Sequence, residues 1–254
     1  MKTRTLTLPA RIPEKLRLAV CADFHSVNRE MHVERTLERL RAASPDFILC
    51  PGDFFNYSDE FSVRDWSNRH ALEFLAGAAV LAPTFFSLGN HDRGLTPENR
   101  RILEGAGVTP LTDEFTRRGP LVIGALSSPG PIGRHKLRAE DLPSGAFLDG
   151  FARESGYHVL LCHHPEFWEP MVCGRGIELT VAGHAHGGQW RIFGQGVYAP
   201  GQGMFPRYTS GLYRKNAAEV LAVSRGMTNS MLLIPRFFNP TEILTLDLIP
   251  EADA

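Results

Sequence analysis

The 254-residue chain has no apolar run approaching the roughly 20 residues that span a bilayer, which excludes an obvious transmembrane helix. Its first fifteen residues are basic, but Pro9 and Pro13 interrupt them and no apolar core of signal-peptide length follows. A cytoplasmic location is therefore expected, with peripheral contact at the inner membrane as the alternative. Cysteine is scarce: Cys21, Cys50, Cys162 and Cys173 form no C-x-x-C pair and read as small core residues, not thiolate ligands. Charge of one sign is also lacking. Lys and Arg number 27 against 28 Asp and Glu, so the net charge of −1 offers no global attraction to nucleic acid or anionic membrane. No internal repeat, low-complexity tract or linker is visible, and one domain over residues 1–254 is expected.

What the chain does have is a set of short apolar runs that end in metal-binding side chains. VAGHAHGGQ carries His184 and His186 two apart, so on an extended chain both face one point. LAVCADFH reaches Asp23 and His25, FILCPGD reaches Asp53, FFSLGNHD reaches Asn90, His91 and Asp92, and VLLCHH reaches His163 and His164. In open α/β sheets, residues far apart in sequence converge outside the carboxyl ends of the strands, which predicts a single site.

The first half alternates predicted strands at 16–22, 47–50 and 84–88 with predicted helices. Val33, Leu37 and Leu40 mark one helix face, stopped at Ser44-Pro45. Ser62 and Asp65 resemble a capping box ahead of a helix carrying Trp66, Leu72, Leu75 and Ala79. Thr96-Pro97 reads as N-cap and first residue of a third helix. This alternation predicts a mostly parallel sheet. The second half reads as strands at 121–126, 157–162, 177–182, 189–193, 219–224 and 243–248, predicting a second sheet packed on the first. Long Gly- and Pro-rich stretches at 127–150 and 194–211 are expected to border the site.

A mixed oxygen and nitrogen donor set without thiolates suits Mn, Fe or Zn better than a structural zinc cage or calcium. Seven candidate ligands exceed the needs of one ion, so two are implied, with one carboxylate bridging them at roughly 3.5–4 Å. Asp53 is the natural bridge because Gly52 lets the turn bring its carboxylate inward.

The ordered set Asp23-Phe24-His25, Gly52-Asp53, Gly89-Asn90-His91-Asp92, His163 and Gly183-His184-Ala185-His186 resembles the five motifs of the calcineurin-like metallophosphoesterases. GHAHGGQ, the later GLYRKNAAEVLAVSRGMTNS and the Pro-Thr-Glu tail are similar to a small bacterial branch containing phosphodiesterases and a UDP-diacylglucosamine hydrolase of lipid A synthesis. The resemblance implies an α/β fold, an αββα sandwich of two mixed sheets flanked by helices. It also implies two divalent cations, manganese first, with iron or zinc as alternatives. One ion would be held by Asp23, His25, Asp53 and His186, the other by Asp53, Asn90, His163 and His184. His91 would be a proton donor or phosphate-binding group, and Asp92 would orient it. Either His163 or His164 could fill the fourth motif, and the motif order favours His163. The second motif reads GDFFNY, with Asn56 and Tyr57 where protein phosphatases carry Asp-Arg, which argues against a protein phosphatase.

Two cations, the Asp23 and Asp53 carboxylates and a bridging hydroxide leave about +1 at the site, which attracts a phosphate anion. The expected reaction is metal-dependent hydrolysis of a phosphodiester or pyrophosphate in a small molecule or lipid headgroup, with in-line attack by hydroxide and His91 protonating the leaving alkoxide. Alternatives are a nuclease, a phosphomonoesterase or a non-catalytic metal-bound binding module. No nucleic-acid partner is expected, since no basic stripe is present. His32, His70, His135 and His158 read as structural. Arg93, Arg134, Arg207 and Arg214 are candidates to meet the substrate, and Phe54, Phe55, Met204 and Phe205 could be core or an acyl-binding wall.

Overall fold

A computed structural model describes residues 1–26, 32–55, 66–92, 94–129, 138–229 and 235–251. The strands are β1 (Lys2–Ala10), β2 (Leu16–Val20), β3 (Phe47–Pro51), β4 (Thr84–Ser87), β5 (Val108–Leu111), β6 (Glu114–Arg118), β7 (Leu121–Ala125), β8 (Tyr157–Leu161) and β9 (Leu179–Ala182). Four two-residue strands follow: β10 (Arg191–Ile192), β11 (Gln195–Gly196), β12 (Tyr198–Ala199) and β13 (Gly203–Met204). The last are β14 (Gly211–Arg214), β15 (Val220–Val223) and β16 (Glu242–Pro250). Helices α1 (Val33–Ala43), α2 (Arg69–Leu81), α3 (Pro97–Gly105) and α4 (Ala146–Phe151) complete the elements used below.

Two six-stranded mixed sheets form, ordered β1-β16-β2-β3-β4-β5 and β14-β15-β9-β8-β7-β6. In the first, β2 to β5 run parallel and β16 inserts antiparallel to β2. In the second, β7, β8, β9 and β15 run parallel, with antiparallel β6 and β14 at the edges.

Side-chain alternation explains the layering. In β2, Leu18 and Val20 pack into the core between the sheets, together with Leu49, Val159, Leu161 and Val181. Their neighbours Ala19 and Cys21 face the other way, into a core with Leu40 of α1, Phe74 and Leu75 of α2 and Leu103 of α3. The outer face of the second sheet, including Val122, Leu160 and Leu221, is covered by Leu148 and Phe151 of α4 and by Trp168 and Met171. Strands buried on both faces are mostly apolar, and the half-buried Arg17 of β2 pairs with Asp247 of β16. The result is the expected sandwich of helices, two sheets and helices.

The helix ends follow local chemistry. Thr96 Oγ1 accepts the Asn99 N–H at 3.1 Å with Pro97 at the first helical position. Ser44 ends α1 in a left-handed conformation. The capping box at Ser62 and Asp65 lies outside the described residues.

Several expectations are corrected. The basic start of the chain is strand β1, an edge strand whose Pro9 needs no ladder partner on its outer side. The strand expected at 243–248 joins the first sheet, not the second. The 189–193 strand shrinks to a short hairpin, β10 with β11. The stretch 127–150 contains the start of α4. Cys21, Cys50 and Cys162 are buried free thiols, and burial pushes Cys21 up to about 12 and the other two upward, so they behave as core residues. Among the described residues, no helix is long and apolar enough to cross a membrane.

Candidate metal centre

Five parallel strands of the two sheets deliver their carboxyl ends to one place. β2 is followed by Asp23 and His25, β3 by Asp53, β4 by Asn90, His91 and Asp92, β8 by His163, and β9 by His184 and His186. Backbone bonds knit neighbouring ends within each sheet: Asp23 N to Gly52 O at 3.1 Å, His25 N to Asp53 O at 2.9 Å and Gly183 N to His163 O at 3.2 Å. Gly52 has φ +86°, and a Cβ there would come within 2.8 Å of His163 Nδ1, so the turn needs glycine both for conformation and for room.

Asp23, His25, Asp53, His184 and His186 all have positive φ, between 46° and 62°. Left-handed conformation at a non-glycine residue costs about 1–3 kcal/mol, and such strain concentrates at functional sites. Here the sharp reversal turns each side chain back over the strand ends.

Donor atoms of Asp23, His25, Asp53 and His186 lie within 4.8 Å of one another, and so do those of Asp53, His163 and His184. Asp53 belongs to both groups. His163 Nε2 lies 3.2 Å from Asp53 Oδ2 and 3.1 Å from Asn90 Oδ1, and His25 Nε2 lies 3.7 Å from Asp53 Oδ2. Ligands at about 2.1 Å from a common ion stand roughly 3–3.4 Å apart, so the two His163 spacings match donors around a cation and the His25 spacing is only slightly longer. Asp23 Oδ2 and His25 Nε2 are buried without a hydrogen-bond partner, a costly state that a cation relieves. The oxygen and nitrogen donor set fits divalent metal ions.

The protein holds the other nitrogens and oxygens in place. His163 Nδ1 lies 2.8 Å from Pro51 O, which orients the ring, and the His184 N–H donates to Asp23 Oδ1 at 2.9 Å. The His91 N–H donates to Asp53 Oδ1 at 2.8 Å, and the His91 ring stands edge-to-face on His25 at 5.0 Å.

Electrostatics follow from burial. Burial pushes the Asp23 carboxyl up to about 7 and His25 down to about 4. Burial would also raise Asp53, but the adjacent His163, through charge and hydrogen bond, holds it well below the usual range; reciprocally His163, despite burial, is pushed up to about 10 by Asp53. Burial drives His184 down to about 3 and His186 well down, which favours the neutral imidazole, the form that binds a metal ion.

Asp92 binds the backbone of the two loops beside it. Its carboxylate accepts four backbone N–H groups, from Asp53 (2.6 Å), Phe54 (3.0 Å), Phe55 (2.7 Å) and Gly89 (2.8 Å). It fastens the Asp53 loop to the loop after β4.

Sequence reasoning missed three residues here. Arg236 Nη2 lies 3.2 Å from His186 Nδ1, and Asn239 donates to His186 O at 2.7 Å and Gln189 O at 3.1 Å. Both follow an unremarkable stretch with no spacing signal. The third, Glu166, is buried beside His164 and His184, although in sequence it follows Pro165 in what reads as a surface turn.

Of the arginine candidates, Arg207 is exposed and pairs with Glu169 at 2.8 Å, and Arg214 ends β14; Arg93 and Arg134 lie outside the described residues. His158 pairs with Glu178 at 2.8 Å, His32 stands at the N-terminal boundary of α1 without a side-chain cap and His70 lies in α2, while His135 lies outside the described residues, as do Asn56 and Tyr57. Phe54 and Phe55 are core, whereas Met204 and Phe205 are exposed.

The chain is similar to several known proteins. Phosphodiesterase YaeI of Escherichia coli is 30% identical over 153 residues, 58% of this chain and 51% of that protein, so the chain spans about half the length of this relative. The uncharacterized protein YpbG of Bacillus subtilis is 36% identical over 206 residues, 80% of this chain and 71% of that protein. The solved phosphoesterase YfcE of E. coli superposes with TM-score 0.37 and 13% identity, covering 82% of this chain and 78% of that one. The family model for calcineurin-like phosphoesterases matches residues 16–188, from β2 through the last histidine motif, and the chain belongs to that family.

Proposed function

We propose that the chain is a dinuclear-metal-dependent phosphodiesterase or pyrophosphohydrolase acting on a small molecule or lipid headgroup. The observation that carries this is the pair of buried donor groups sharing Asp53. Asp23, His25, Asp53 and His186 would hold one divalent cation, and Asp53, Asn90, His163 and His184 the other, with manganese the first choice of metal. When bound, such ions lower the pKa of water and neutralise charge building on phosphoryl oxygens. The reading takes residues 1–254 as one domain, because the core between the sheets draws on both.

The chain's own residues complete the chemistry. His91, tethered through its N–H to Asp53, presents an imidazole beside His25, where a ring nitrogen can give a proton to the leaving-group oxygen. Asp92 acts by position, holding the Asp53 loop through its four N–H bonds. Burial of the donor atoms excludes bulk water and strengthens their attraction for an anion. Similarity to a relative named a phosphodiesterase supports diester over monoester hydrolysis. The near-neutral net charge weighs against a nuclease.

A lipid headgroup is the second reading, and one observation favours it. Trp190, Ile192, Phe193, Phe205, Phe237 and Phe238 are exposed, Phe193 fully. Backbone bonds from Arg191 N to Phe237 O and from Phe205 N to Val197 O link their segments beside His186 and Gln189. An apolar rim of this kind suits the acyl part of an amphiphile and peripheral contact of a cytoplasmic protein with the inner membrane. It also accords with the GHAHGGQ branch that includes a UDP-diacylglucosamine hydrolase.

The test is hydrolysis of bis-p-nitrophenyl phosphate and of the monoester by metal-stripped and manganese-reloaded protein. Metal-dependent turnover favouring the diester is expected. Preference for the monoester would overturn the diester assignment, and equal hydrolysis of acylated and deacylated nucleotide sugars would overturn the lipid reading.

A further inference from the structure

Glu166 sits in the single turn after β8, three residues beyond His163, and only 8% of it is exposed. Neither carboxylate oxygen has a hydrogen-bond partner, and the same holds for the two nitrogens nearest to it. Oε1 lies 3.4 Å from His164 Nδ1 and 3.5 Å from His184 Nε2, and the two imidazole centroids are 4.3 Å apart. Gly201, at φ +69°, also meets it: a Cβ there would overlap Oε1, so the turn between β12 and β13 closes directly on the carboxylate. His164 Nε2 is itself engaged, 2.9 Å from Ser128 Oγ.

A buried carboxylate with no donor is expensive, so its neighbours are set to supply hydrogens. One proton arrangement gives Glu166 Oε1 two donors and each imidazole a partner. Ser128 donates its hydroxyl to His164 Nε2, His164 then carries its proton on Nδ1 and donates to Glu166, and His184 donates from Nε2. An imidazole has two nitrogens, so His184 with a proton on Nε2 offers Nδ1 to a cation. A metal-bound histidine commonly gives its other N–H to a carboxylate, which fixes the tautomer and raises its basicity.

We propose that Glu166 is a positioning residue for the second metal ion: it takes the Nε2–H of His184 and so presents Nδ1 to that ion, with His164 and Ser128 as its support. The proposal rests on the ligand assignment above. It also gives His164 a role other than ligation. The rival on the same atoms is a third cation held by His164, Glu166 and His184, whose donor atoms lie within 4.8 Å of one another.

The experiment is calorimetric titration of manganese into metal-stripped wild type and Glu166→Gln, which keeps the shape and removes the charge. Wild type should bind two equivalents. In the variant the first Kd should be unchanged and the second weakened about 10–100-fold, with the melting temperature of the metal-free chain unaltered. A purely packing role would instead lower the melting temperature and move both steps. An unchanged second Kd overturns the proposal, as does a third equivalent in wild type that disappears in the variant. Absence of a second equivalent in wild type would instead sink the two-ion assignment itself. A measurement on wild type alone guards against a variant that fails to fold: in zinc-loaded protein, NMR should find His184 protonated at Nε2 and metallated at Nδ1. Metallation at Nε2 would overturn the proposal.

Discussion

The carboxylate of Asp92 accepts the backbone N–H of Asp53 at 2.6 Å, and the same group accepts N–H bonds from Phe54, Phe55 and Gly89. Burial and the neighbouring Asp53 charge push its carboxyl up to about 7, against the pull of those donors. Asp92→Asn would turn an NH2 toward N–H groups. The variant should lose about 1–3 kcal/mol in urea unfolding and bind both ions less tightly. A variant as stable as wild type and defective only in proton transfer would show that Asp92 serves His91 instead.

His91 is set apart from the seven proposed ligands by its backbone N–H, which bonds Asp53 Oδ1. His91→Asn should therefore retain both ions by metal analysis. Turnover should fall about 10²–10⁴-fold, most for substrates with poor leaving groups. Loss of an ion from this variant would move His91 into the ligand set.

In the metal-free protein His163 is pushed up to about 10 by its pairing with Asp53, so it carries a proton at neutral pH. Only the neutral ring can ligate, so loading the second ion must release about one proton. Affinity should accordingly rise about tenfold per pH unit between pH 6 and 8, and the calorimetric heat should track the ionisation enthalpy of the buffer. Heat and affinity independent of buffer and pH would show that His163 is already neutral.

A second pH dependence lies far from the site. Asp247 of β16 is held down to about 2, first by its hydrogen bonds with Arg17 of β2 (2.6 and 2.8 Å) and then by Lys15 at 2.9 Å. A carboxylate whose folded pKa is depressed stabilises above its unfolded pKa near 3.9 and loses that contribution as pH falls toward the folded value. The stability difference between wild type and Asp247→Asn should thus be full at pH 5 and shrink steadily toward pH 2. A constant difference would mean the ion pair contributes nothing.

The site was legible because its chemistry is written at strand ends: an apolar run fixes the strand, and the polar residue that follows marks the point where strands converge. The cores on both faces of β2 and β3 were legible for the same reason, as unbroken apolar runs such as FILC. What escaped depends on long-range pairing. β1 alternates Thr and Leu over a half-exposed edge, and its partner β16 lies some 240 residues away, so no local signal joins them. The reach of Arg236 and Asn239 to His186 comes from a backbone path beyond the last motif. That Asp92 accepts backbone donors from two loops shows only in the folded chain. Glu166 was hidden because a carboxylate after proline reads as a surface turn until β8 and the loop at Gly201 bury it.

The most direct test of the account is the number of manganese equivalents that restores diester hydrolysis to metal-stripped protein, measured beside Asp53→Asn. The shared carboxylate predicts that wild-type activity rises to a plateau at two equivalents, and that Asp53→Asn loses occupancy of both ions together with turnover. A plateau at one equivalent, or an Asp53→Asn variant that keeps two ions and the wild-type rate, would contradict a centre built around Asp53.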